Sequence, residues 1–119
     1  MYPSGSWAGF WQQEGWGRQP MQAFVLKFQN GVITGGGYDV IGHFKVFGEY
    51  EADGGAIRFV KHYFDAHSVL YSASPDGEGS VVGTWVIKTE LSISKGSFAL
   101  KPNFAPQIYD EPIQEIEPF

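Results

Sequence analysis

Apolar and polar residues alternate with a period of two along most of this chain, in eight short runs separated by turn signals, and no run has helical spacing. The first run, Ser6 to Gln13, places Trp7, Gly9 and Trp11 on one face. The second, Met21 to Gln29, sets Phe24, Leu26 and Phe28 against Ala23, Val25 and Lys27. Large apolar residues at every second position predict half-buried strands. Asn30-Gly31 follows, the dipeptide that best tolerates positive φ at both central positions of a type I′ turn, so a tight hairpin is expected there.

A third strand runs from Val32 to about Gly35, where the triplet Gly35-Gly36-Gly37 is expected to break or bend it. The fourth, Val40 to Tyr50, turns Val40, Gly42, Phe44, Val46 and Gly48 to one side. Asp53-Gly54-Gly55 then reverses the chain. The fifth, Ala56 to Phe64, is ambiguous: Ile57, Phe59, Lys61 and Tyr63 share one face and Val60 and Phe64 sit with Arg58 and His62 on the other, with Ile57 and Phe59 favoured as inward and Lys61 either paired inside or turned outward. The sixth, His67 to Ala73, has two possible registers. Ser74-Pro75-Asp76-Gly77 is a turn in which Pro presets φ and Gly accepts a positive one. The seventh run is Val81 to Lys88, with Val81, Gly83, Trp85 and Ile87 on one face. Thr89 to Ser94 extends it or forms a loop, and Lys95-Gly96 turns into the eighth, Ser97 to Lys101. Short connections make consecutive strands antiparallel neighbours. The pattern predicts an all-β, eight-stranded antiparallel up-and-down barrel over residues 1–101, closed so that no edge is exposed. A two-sheet sandwich is the main competitor.

Residues 102–119 differ in composition. They hold four of the seven prolines and the acids Asp110, Glu111, Glu115 and Glu117, beside apolar residues such as Phe104, Ile108, Tyr109 and Phe119. The segment reads either as a disordered acidic tail or as one that docks its apolar residues on the barrel or on a second subunit. It accounts for most of the net charge of −5, which leaves the body nearly neutral, with its bases scattered singly. No basic face is present for nucleic acid.

At 119 residues the chain has the length of one domain, and 17% aromatic content provides for a substantial core. The absence of Cys excludes disulfides and thiol chemistry. No apolar run reaches membrane-spanning length, and the start lacks a secretory pattern, so a cytoplasmic protein without membrane attachment is expected.

The ordered set of segments resembles the avidin/streptavidin family of eight-stranded barrels. Gly9-Phe10-Trp11-Gln12-Gln13-Glu14-Gly15 resembles its opening motif, and Gly31-Val32-Ile33-Thr34-Gly35 its first hairpin step. Tyr63-Phe64-Asp65-Ala66-His67-Ser68 resembles the connection before its sixth strand, and Val82-Gly83-Thr84-Trp85-Val86-Ile87 its seventh strand. The resemblance spans most of residues 5 to 101 and implies a small-molecule binder. Its biotin ligands do not carry over. The first-strand Asn falls at Gln13, the Tyr and Ser after the third strand are represented only by Tyr38, the fifth-strand Trp falls at Phe59, and the late Asp has no counterpart around Ser97. An unpaired buried donor or acceptor costs roughly 1–3 kcal/mol, so high-affinity biotin binding is not expected; submicromolar binding by calorimetry would refute this.

Candidate chemistry is sparse. There is no catalytic Ser elbow or phosphate loop, and His43, His62 and His67 have no metal-ligand spacing, so neither cofactor nor metal is expected. An inward Lys61 needs a partner, and Asp39, entering the fourth strand next door, is the natural one. Three functions fit. The first is a non-enzymatic binder holding a small apolar or amphipathic ligand at the barrel mouth, lined by Trp11, Gln13, Tyr38, Phe44, Phe59, Lys61, Tyr63, Tyr71 and Trp85, with Trp16 on a loop over the opening. The second is a filled barrel that self-associates through outward Val25, Val60, Val82 and Val86, or through the tail. The third is an isomerase resembling allene oxide cyclase in architecture alone, with Lys61, His67 or Asp39 polarising the substrate. Outward valines on several strands point to a homo-oligomer.

Overall fold

In the computed structural model, which describes residues 2–103, eight antiparallel strands close into a barrel in sequence order. They are β1 (Gly5–Gln12), β2 (Gln19–Gln29), β3 (Val32–Asp39), β4 (Gly42–Tyr50), β5 (Ile57–Tyr63), β6 (Ser68–Pro75), β7 (Val81–Lys88) and β8 (Ile93–Pro102). Strand β1 pairs with both β2 and β8, which closes the ring and removes every sheet edge. The described residues contain no helix, hence none long and apolar enough to cross a membrane. The tail reading falls on residues 104–119, which lie outside the described residues.

Turn chemistry fixes the hairpins. Asn30 and Gly31 both adopt left-handed backbone, with φ of 54° and 79°, as a type I′ turn requires. The interior is filled by setting large side chains across from glycine: Phe59 faces Gly48, Phe98 faces Gly83, and Trp85 faces Gly96. A Cβ at Gly83 would fall 1.9 Å from the Ser72 carbonyl oxygen, so the strands approach one another too closely there for any side chain.

Four sequence expectations need correction. The triplet Gly35-Gly36-Gly37 does not end β3, which pairs continuously with β4 as far as Asp39. Its glycines serve close approach instead: a Cβ on Gly37 would press on Phe24 and Phe44. Val40 is not an inward strand residue. It and Ile41 form the tip of the β3–β4 turn and are exposed. Lys95-Gly96 is strand rather than turn, paired with Val86 and Trp85; β8 begins at Ile93 and includes Pro102. Asp39 ends β3 instead of entering β4.

Two irregular features set the interior. The β1–β2 register shifts between Trp7 and Gly9, where Trp7 faces Phe24 and Gly9 faces Met21. This bulge returns Met21 to the inner face, which strict alternation would deny it. In β6, Val69, Tyr71 and Ala73 point inward, which settles the register.

The two ends of the barrel differ. At the end that holds the β2–β3, β4–β5 and β6–β7 turns, Tyr2 lies across the interior against Trp7, Phe28 and Tyr50, with centroids 5.3–6.2 Å away. Its hydroxyl donates to the carbonyl of Gly54 at 2.9 Å and also approaches that of Gly55. This aromatic floor closes one end. The other end, framed by the remaining loops, is open.

Candidate functional site

The open end holds a cavity of about 680 Å³. Trp11, Met21, Val69, Trp85 and Ile87 give it aromatic and aliphatic walls. Trp11 and Trp85 meet edge to face at 5.8 Å, and the Trp85 indole N–H donates to the Gln12 carbonyl at 3.2 Å, which fixes both rings. Val40 and Ile41 overhang the mouth from the β3–β4 turn, and Gln13, Gln22, His67 and Ser94 supply polar groups.

Below the mouth sits one compact polar group. Lys61 lies on β5 between Phe59 and Tyr63, so the period that buries those rings also buries the lysine, which is 3% exposed. Its ammonium is 3.7 Å from Asp39 Oδ2 and lies 4.6–5.8 Å from the ring centroids of Phe24, Phe44, Tyr63 and Tyr71. The ring faces return part of the hydration the ammonium has lost. Burial holds its pKa below the ordinary lysine value, and the Asp39 carboxylate only partly opposes that.

Asp39 is held on both oxygens. Oδ1 accepts the Ile41 backbone N–H at 3.0 Å, an Asx turn at the hairpin tip, and Oδ2 accepts the Tyr63 hydroxyl at 2.6 Å. Burial first, and then the hydrogen bond and negative charge of Asp39, push the Tyr63 phenol well above its ordinary value. The Tyr71 phenol is also raised, by burial and by the Asp39 charge. Tyr71 stacks on Phe59 at 4.7 Å and lines the cavity, and its hydroxyl has no hydrogen-bond partner among the described residues.

Six of the nine residues expected at a ligand site line this cavity: Trp11, Gln13, Lys61, Tyr63, Tyr71 and Trp85. Phe44 and Phe59 lie behind it in the core, Phe44 against the Lys61 ammonium and the Tyr63 ring. Tyr38 does not join the site. It is 61% exposed and packs beside His43 on the outer face, because the β3–β4 pairing, and with it the in–out alternation, continues past the glycines. Trp16 is 63% exposed and is not part of the lining. Lys61 and Asp39 do form the expected pair, reaching across β4. Among residues missed from sequence, Met21 enters through the bulge, and Val69 follows from a register that the sequence leaves open. A surface concavity around Gln12, Thr84 and Lys95 lies outside the barrel wall.

Comparison with protein-family models, with curated proteins and with solved structures finds no match to this chain.

Proposed function

We propose that this chain is a non-enzymatic binding protein that takes a small, largely apolar molecule into the open end of its barrel. One observation carries the reading: a single-ended cavity with apolar walls and, in its lining, the buried Tyr71, whose hydroxyl makes no hydrogen bond among the described residues. Ligand pockets are typically ~300–1,000 Å³ and apolar with few converging polar groups, and this cavity of about 680 Å³ fits that description. An acid–base mechanism is less well supported, because Asp39 is already engaged on both oxygens and Lys61 is paired with it. The avidin resemblance is compatible with a binder, and the same reading holds that biotin is not its high-affinity ligand.

Titration with Nile red, a neutral apolar fluorophore, tests the proposal. Saturable binding of one molecule per chain is expected, and Ile87→Trp, which narrows the mouth, should weaken it at least tenfold. Absence of saturable binding, or binding indifferent to that substitution, would overturn the proposal.

One feature of the outer wall favours a second property, self-association. Cross-strand pairing aligns Phe47, Val60, Leu70 and Val86 in an unbroken apolar row over β4, β5, β6 and β7. Phe47 is 68% exposed. Contiguous apolar surface of this kind marks interaction sites.

A further inference from the structure

We infer that the molecule taken up by this cavity is a neutral amphiphile whose inner end is a hydrogen-bond acceptor, a ketone, aldehyde or ester carbonyl, and not a carboxylate. This rests on the binding role proposed above and names its ligand class. A tally of donors and acceptors at the base of the cavity leads to it. Both Asp39 oxygens are occupied, Oδ1 by the Ile41 N–H and Oδ2 by the Tyr63 hydroxyl and the Lys61 ammonium. Tyr63 has spent its only proton on Asp39. What is left unspent is donor capacity: the Tyr71 hydroxyl, and Lys61 N–H groups that face ring carbons of Phe24 and Phe44. A ligand that enters with a donor-only group can bond the Tyr71 oxygen but leaves the Tyr71 proton unspent, whereas a carbonyl oxygen takes that proton and draws on Lys61.

Charge separates the neutral carbonyl from the anion. Lys61 and Asp39 neutralise each other, so the base of the cavity carries no net charge to offset another. A carboxylate would leave water to sit close to Asp39, with desolvation and like-charge repulsion both opposing it. A carbonyl meets neither cost. The raised phenol of Tyr71 keeps its proton throughout the neutral range, so the donor is always present.

The test compares methyl octyl ketone, decanol and decanoate, matched in chain length, by quenching of Trp11 and Trp85 fluorescence at neutral pH. The ketone should bind at least tenfold more tightly than decanoate and several-fold more tightly than decanol. Tyr71→Phe, which keeps the ring stacked on Phe59 and removes only the donor, should cost the ketone about tenfold, in line with one buried hydrogen bond. Decanoate binding as tightly as the ketone, or a Tyr71→Phe variant with full ketone affinity, would overturn this inference while the binding role stands. If neither Nile red nor any of the three compounds binds, both fall together.

Discussion

Lys61 is the residue on which stability and binding pull apart. A buried ammonium paired with one carboxylate recovers less than it lost on leaving water; replacing a whole buried pair with apolar groups of similar volume is often neutral or stabilising, and replacing one member costs stability only where the other is left buried and unpaired. Asp39 would not be stranded by the change, since its side chain is 19% exposed and keeps the Tyr63 and Ile41 donors. Lys61→Met should therefore raise the unfolding free energy by about 1 kcal/mol, read from urea midpoints, while weakening the ketone. A loss of similar size would mean that the pair is net stabilising. The same residues set the pH profile. Tyr63 and Tyr71 have folded pKa values above the ordinary 10.0, so their contribution is complete below about pH 10 and is lost as pH rises beyond it. Lys61 is shifted the other way, below 10.5, so its penalty is full below its folded pKa and fades as pH climbs from there toward 10.5. Stability should rise gently into the alkaline range and then fall, and Lys61→Met should lose the rising limb. That Lys61 shares a face with Ile57 and Phe59 was legible from its spacing. That Tyr71 lacks a partner was not, because it depends on which side chains four different strands bring alongside.

Strands and turns were the most readable level, and their misreadings share a cause. Asn30-Gly31 announces its turn because the dipeptide's own φ preferences decide the geometry. Gly35-Gly36-Gly37 and Gly96 look like similar punctuation, but there neighbouring strands demand the missing Cβ: Gly96 makes room for the Trp85 ring. Local sequence cannot tell a glycine needed for its backbone freedom from one needed for its small size. The segment before β1 was not assigned any role, yet Tyr2 forms the floor. Tyr2→Ala removes a ring packed on three aromatics and should lower stability by about 2 kcal/mol, the value of burying one large apolar side chain. Binding at the opposite end should be unchanged, as expected for distant independent sites. A Tyr2→Ala variant of unaltered stability would mean that the floor is not part of the cooperative fold.

Across the whole molecule, closure of the barrel was foreseeable from eight hairpin-linked strands, whereas the outer row was not. Val60 and Val86 stood out in the sequence as outward. Their alignment with Phe47 and Leu70 needs the register of three strand pairs at once, and the sequence left β6 unassigned. If this row buries itself against a second copy, sedimentation should show a dimer or larger species, and Phe47→Glu should shift it toward monomer without changing the circular dichroism of the fold. A wild-type chain that remains monomeric at tens of micromolar would exclude the contact.

The packed rings of Phe24, Phe59 and Phe98 beneath Tyr71 and Lys61 make the barrel a cup rather than a tube. A linear guest advances until it meets the bottom, and any further methylenes trail into solvent. In a ketone series, each added methylene should therefore strengthen binding by about 0.8 kcal/mol at first, and the gain should stop abruptly at the length that fills the cup. A steady gain through much longer chains would mean the guest has found a way out through the far end.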